Sequence, residues 1–223
     1  MSSKVCLGRR RAVVGSLTAL GLSALGSVGP LHAARLLLTP PQTPGPFYPL
    51  RLPLDTDNDL VRVRGRSGMA GGIVSNVVGR VVDDRGRAVR GARVEIWQCD
   101  ANGRYHHPWD RRQGPLDENF QGYGRFTTER EGAYRFRTIQ PVPYPGRAPH
   151  IHFAISAPGV ERLVTQMYVA GRPENAWDGI LNRIPKSLRN RVVVEFVEDP
   201  DQPAQRLARF DIVLAADGRF EQS

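Results

Sequence analysis

Val74-Ser75-Asn76-Val77-Val78-Gly79-Arg80-Val81-Val82 alternates apolar and polar residues, runs into Asp83-Asp84-Arg85-Gly86, and is followed by Ala92-Arg93-Val94-Glu95-Ile96-Trp97. A period of two sends every second side chain to one face, the mark of a strand with one buried side. An Asp- and Gly-rich break between two such runs reads as a turn. The pattern recurs at residues 124–128 and 133–139, around the turn Glu129-Arg130-Glu131-Gly132, and again at residues 150–156, 163–169, 192–197 and 210–214. Only residues 177–189 carry a weak helical pattern. Short strands with turn signals between them predict an all-β chain, an antiparallel β-sandwich with little helix, over residues 72–223.

Outward from this block, residues 35–71 read as an extended arm. Thr39-Pro40-Pro41-Gln42-Thr43-Pro44-Gly45-Pro46-Phe47-Tyr48-Pro49 is too rich in proline for a helix or a central strand. Such an arm lies across another surface, with Phe47 and Tyr48 as its docking points. Residues 1–34 read as an export signal: Lys4 and Arg9-Arg10-Arg11, then a small-residue apolar run from Ala12 to Val28, then Leu31-His32-Ala33-Ala34 as a cleavage site. The run is short for a bilayer and broken by Gly15, Gly21 and Gly26, so a membrane anchor fits less well. The arginine pair points to the twin-arginine route, a periplasmic destination, and no membrane association after cleavage.

Removing residues 1–34 takes away four basic residues and no acidic one, lowering the formal charge from +9 to +5. The remaining arginines are scattered among acids, which argues for a solvated surface with mild attraction for anionic aromatic acids and against nucleic acid. Cys6 leaves with the signal, and Cys99, left alone, reads as a small buried residue with no internal disulfide to make.

Function is concentrated in one stretch. Tyr144 and Arg147 precede His150-Ile151-His152, and residues 150–155 alternate as a strand, so both imidazoles leave on one face. Tyr105 lies just after the turn Asp100-Ala101-Asn102-Gly103, beside His106 and His107. Two imidazoles and two phenols around one point read as a metal site. A phenol ionises near 10, so only a strongly Lewis-acidic ion binds it as phenolate at neutral pH, which argues for ferric iron over zinc. A zinc or copper centre lacks the carboxylate or thiolate set it would use here.

Val94-Glu95-Ile96-Trp97-Gln98, Asn119-Phe120-Gln121-Gly122-Tyr123-Gly124-Arg125, Pro143-Tyr144-Pro145 and Arg147-Ala148-Pro149-His150-Ile151-His152-Phe153 resemble the intradiol ring-cleavage dioxygenases, most of all the β subunit of the protocatechuate 3,4-dioxygenases. Thr165-Gln166-Met167-Tyr168 and residues 209–214 also match, so the likeness runs through residues 72–170 and the last strand. The arm resembles that of the family's α subunit, and both features in one chain imply a homo-oligomer. The resemblance implies a mononuclear Fe(III) held by Tyr105, Tyr144, His150 and His152, with Tyr144 the ligand that leaves when a catechol binds. It implies cleavage of a protocatechuate-like catechol by O2 to a cis,cis-muconic acid, with catechol and hydroxyquinol as other substrates. Arg147 becomes the cation beside the reacting carbon, and Gln166 the partner that holds it.

Two departures stand out. Only five residues separate Tyr144 from His150, and Gly146 takes the place of the tryptophan usual after Tyr-Pro. This shorter loop is expected to open the site. Trp97 and Trp109 read as packing residues, His106 and His107 as solvent-facing or secondary. The competing reading is a non-catalytic β-sandwich that binds a metal or an aromatic.

Overall fold

A computed structural model describes residues 34–53 and 55–217. The export signal expected over residues 1–34 lies, apart from Ala34, outside the described residues. The described residues belong to one compact unit, Ala33–Ser223. In chain order its strands are β1 (Val74–Asp83), β2 (Arg93–Trp97), β3 (Tyr123–Thr127), β4 (Ala133–Ile139), β5 (His150–Ala157), β6 (Val160–Val169), β7 (Val193–Val194), β8 (Val197–Glu198), β9 (Arg206–Arg209) and β10 (Ile212–Leu214).

The alternation that opened the sequence is realised literally, because β1 alternates half-buried and buried side chains along its whole length. One sheet is built on β1, with β4 antiparallel along one side. Along the other side β9 pairs with its first half and β10 with its second, both parallel, and β8 extends the sheet beyond β9. The second sheet runs β3-β2-β5-β6-β7. Both sheets are therefore mixed, since β6 and β7 are also parallel. The all-β sandwich stands, with parallel pairs where an antiparallel arrangement was expected throughout. The strands expected at residues 192–197 and 210–214 shorten to β7 and β10, of two and three residues, and β9, of four, is too short to carry a readable period.

Val77, Val81, Val94, Ile96, Phe136, Ile151, Phe153, Ile155, Met167, Phe210 and Ile212 meet in one core cluster. Burying each such side chain contributes about 1.5–3 kcal/mol before the cost of ordering the chain. Since Ile151, Phe153 and Ile155 point into that core, His150, His152 and Ala154 face the opposite side of β5. There Ala154 joins a smaller cluster with Trp97, Cys99, Tyr105 and Tyr123. The sheet thus separates packing from chemistry, and Cys99 is buried and free as expected.

The weak helical pattern over residues 177–189 resolves into short 3-10 turns at Leu181–Arg183 and Lys186–Arg191, and a further one, Pro173–Ala176, precedes it. Among the described residues no helix is long and apolar enough to cross a membrane. The arm crosses the chain's own sandwich. Its prolines cannot donate hydrogen bonds, so its other residues hold it: Thr39 N–H to the Val213 carbonyl (3.0 Å), Val213 N–H to Thr39 Oγ1 (2.9 Å), and Gln42 N–H to the Val164 carbonyl (2.7 Å).

Candidate active site

Strand register assembles the first part of the site. His152 is paired with Trp97 on β2 and Gln166 on β6, and His150 with Tyr168. Paired residues share a face, so two imidazoles, an indole, a carboxamide and a phenol are set side by side. The Trp97 and His152 rings stack at 4.8 Å, 5° from parallel. The β2–β3 loop brings in Tyr105. Asp100 shapes that loop by accepting the backbone N–H groups of Asn102 and Arg104 (2.9 Å each), and Gly103 adopts a φ of 74° that closes the turn. The β4–β5 loop brings in Tyr144, whose ring meets Tyr105 edge-on at 5.8 Å and His150 at 5.5 Å. Every residue expected in the site is therefore in one place.

The two imidazoles converge. His150 Nδ1 lies 2.7 Å from the Ala148 carbonyl, which can only accept, so the proton is on Nδ1 and Nε2 presents a lone pair. His152 Nε2 is 3.1 Å from that atom. Tyr105 Oη is buried with no hydrogen-bond partner. Burial, with the Tyr144 phenol second, raises the Tyr105 pKa well above its ordinary value, and burial also raises Tyr144 against the opposing charge of Arg147.

Burial first, then Arg147, lowers His150 to about 3; burial first, then His150, holds His152 well below 6.5. The unfolded chain takes up these protons near 6.5, whereas the folded metal-free chain resists them. Stability is therefore complete above about pH 6.5 and falls as pH drops towards 3. Thermal melts of metal-free protein are expected to show a clear drop in Tm between pH 7.5 and 5. An unchanged Tm would contradict burial of neutral imidazoles.

Arg147 is anchored on several sides. Its Nη2 donates to Gln166 Oε1 (2.5 Å) and Tyr168 Oη (3.3 Å), its Nε to Asp178 Oδ2 (2.9 Å), and its Nη1 reaches Tyr144 Oη at 3.5 Å. The arm supports this network: Gln42 Oε1 accepts from Tyr168 Oη (2.9 Å), and Gln166 Nε2 donates to the Thr43 carbonyl (2.9 Å). Gly45, at φ 67°, passes so close that an added Cβ would sit 3.4 Å from His152 Cε1. Phe47 stacks on Tyr105 at 4.6 Å; Tyr48 meets Trp97 edge-on and donates to the buried Glu95 (3.0 Å). Two surface hollows, of about 510 and 440 Å³, are lined by none of Tyr105, Tyr144, Arg147, His150 and His152. The arm roofs the cluster and limits its access to water.

Sequence reasoning missed several contributors. Arg112 places its guanidinium 4.3 Å from the Tyr144 ring centre and binds Asp110 through Nε (2.8 Å) and Nη2 (2.5 Å). The same aspartate accepts the Tyr105 backbone N–H (2.6 Å). Asp178 and Gln42 were missed too, because their partners are remote in sequence; Tyr168 was signalled only by its alternation with Gln166. His106 is exposed as expected, whereas His107 is buried against Phe47 and Trp109. Trp97 packs as expected. Trp109 does not, being 60% exposed.

A family model described as dioxygenase matches residues 44–216. The β chain of protocatechuate 3,4-dioxygenase from Burkholderia cepacia is 42% identical over 167 residues, covering 71% of this chain and 71% of that one. This chain belongs to the intradiol ring-cleavage dioxygenase family. Hydroxyquinol 1,2-dioxygenase from Corynebacterium glutamicum, another member, is 30% identical over 197 residues, covering 77% of this chain but 62% of the relative. Among solved structures, the dioxygenase domain of a dioxygenase carbohydrate-binding protein fusion from Streptomyces sp. SirexAA-E superposes with a TM-score of 0.63 at 28% identity, covering 80% of this chain and 98% of that one.

The donor set in this dioxygenase fits a resident metal ion. Among the described residues there is no group of three or more His, Cys, Asp or Glu side chains that could hold one, and beside the two imidazoles stand the phenols of Tyr105 and Tyr144. The imidazoles are held neutral, the state in which they ligate, and one phenol oxygen is buried without a partner. With both phenols pushed upwards, ionising them at neutral pH takes a strongly Lewis-acidic cation.

Proposed function

We propose that this dioxygenase uses Fe(III) to open the ring of a catechol between its two hydroxylated carbons, consuming O2 and yielding a cis,cis-muconic acid. The observation that carries this reading is the meeting of His150, His152, Tyr105 and Tyr144 beside Arg147, with Tyr105 Oη lacking any other partner. Ferric iron bound by those four side chains would supply the Lewis acidity that ionises the phenols and a chelating catechol.

The chain's own residues divide the remaining work. Tyr105 is buried and stays in place, whereas Tyr144 is partly exposed, so Tyr144 is the phenol free to exchange with a substrate oxygen and accept its proton at Oη. Arg147, and behind it Gln166, offers positive charge where negative charge develops during ring attack. Phe47, Trp97 and the arm backbone exclude water, which strengthens every charge interaction within.

Protocatechuate-like acids come first as substrates, on the 42% identical relative named for protocatechuate and on the +5 charge of residues 35–223. Catechol and hydroxyquinol are the comparison substrates. Export to the periplasm rests on the arginine-led apolar segment before Ala34, and a homo-oligomer on one chain carrying both arm and sandwich.

The test is oxygen uptake by iron-loaded protein with protocatechuate, catechol and hydroxyquinol, with ultraviolet detection of the muconate. Uptake with at least one of them is expected. A catechol-induced change in the visible spectrum with no uptake would instead favour the non-catalytic binding module.

A further inference from the structure

Arg147 is held from the far side by a residue outside every motif of the site. Asp178 lies between the 3-10 turns Pro173–Ala176 and Leu181–Arg183, and its side chain is wholly buried. Its two oxygens face different ways. Oδ1 accepts the backbone N–H groups of Ile180 and Leu181, at 2.9 Å each, which locks the carboxylate into its own turn. Oδ2 accepts Arg147 Nε at 2.9 Å and the Ala148 N–H at 2.8 Å. Ala148 is also the residue whose carbonyl fixes the His150 tautomer. One carboxylate therefore pins both the guanidinium and the backbone leading into the histidine strand.

This arrangement decides which edge of Arg147 is available. Nε is taken by Asp178 and Nη2 by Gln166 and Tyr168, so Nη1, 3.5 Å from Tyr144 Oη, is the nitrogen turned to the phenol cluster. A guanidinium is planar, so fixing two of its nitrogens fixes the direction of the third. Without Asp178 the side chain can turn about its stem and pair tightly with the Tyr144 oxygen, placing its charge on a ligand and away from the reacting ring.

We propose that Asp178 is a positioning residue of the ring-cleavage reaction, acting through Arg147 by holding Nε so that Nη1 faces the substrate. The proposal rests on the catalytic reading above. Asparagine at this position keeps the size but cannot offer an acceptor on both sides, so one side confronts N–H donors with an amide N–H.

The test is Asp178→Asn in iron-loaded protein, alone and combined with Arg147→Ala. Alone it is expected to lower kcat about 10- to 100-fold, the usual effect of losing a partner behind a working residue. KM is expected to stay within about threefold, and iron content and the visible band to stay unchanged. In the Arg147→Ala background it should lower kcat no further, because its route of action is gone. A kcat within about twofold of wild type, an equal extra loss in the double variant, or loss of iron would each overturn the positioning role.

Should Asp178→Asn fail to fold, Arg147→Lys decides instead. Lysine keeps the charge but cannot bind Asp178 and Gln166 while facing Tyr144, so it should lose nearly as much kcat as alanine; near-wild-type turnover would overturn the proposal. Wild-type protein that consumes no O2 with any catechol would remove the catalytic reading and this inference together. Active wild type with an unaffected Asp178→Asn would remove the inference alone.

Discussion

Tyr105→Phe is expected to lose the iron or most of the visible colour while leaving the metal-free fold as stable as before, or more so. The two halves of this expectation share one cause. Tyr105 Oη is buried among Cys99, Phe47, Tyr144 and His152 and has no hydrogen-bond partner in the protein. A buried hydroxyl without a partner costs about 1–3 kcal/mol, and phenylalanine removes that cost without changing the ring that Phe47 stacks upon. The backbone bond from Tyr105 N–H to Asp110 is untouched, so the loop has no reason to move. What disappears is one of four proposed donors and one of two sources of phenolate-to-iron colour. Iron quantification, the visible spectrum and a melt of the metal-free variant check this together. Unchanged iron and colour would mean that Tyr105 is not a ligand; a large fall in metal-free Tm would mean that its hydroxyl has a structural partner.

Arg147→Ala should reduce kcat by about 100-fold or more while iron stays bound. A preorganised donor aimed at developing charge typically supplies that much, and truncation removes it from a site where Tyr144, Gln166 and Tyr168 are arranged around it. Truncation also strands Asp178: burial is the largest single effect on its carboxyl and pushes the pKa up, but the Leu181 and Ala148 backbone N–H groups and Arg147 together outweigh it and hold the pKa below its ordinary value. Leaving a buried carboxylate without its cation costs about 3–5 kcal/mol, so a lower Tm should accompany the lost turnover. Rates measured well below that Tm, with metal content determined on the same sample, separate the two effects. A variant that binds iron and turns over at the wild-type rate would show that Arg147 has no part in the chemistry.

The sequence was most informative where a short period or a tight spacing carried the signal. Alternation located β1, β2, β4, β5 and β6 to within a few residues, and His150-x-His152 on one face of β5 follows from the same period. Gln166 and Tyr168 follow the same rule on β6, once it is known that β6 lies beside β5. Sheet neighbours cannot be read from a single strand, and β9 was missed because Arg206-Leu207-Ala208-Arg209 is short and charged at both ends.

The least legible contacts join distant segments. Asp178 meets Arg147 across 31 residues and sits in no motif, and Gln42, marked only as part of the arm, meets Tyr168 across 126. Arg112 was hidden differently: it follows an aspartate and another arginine, as surface residues do, and only the fold of the β2–β3 loop lays it over Tyr144. Proline content marked the arm as extended but could not say where it lies. The carbonyls of Val164 and Val213, which accept the Gln42 and Thr39 N–H groups, decide that.

The central claim is that four side chains from three separate segments bind a ferric ion that a catechol chelates. Its most direct test is the metal content and visible spectrum of the purified protein, before and after anaerobic addition of a catechol. Stoichiometric iron, a reddish phenolate-to-iron band, and a shift of that band on adding the catechol are expected. A protein that stays colourless after loading with ferric iron, or whose band ignores the catechol, would contradict it.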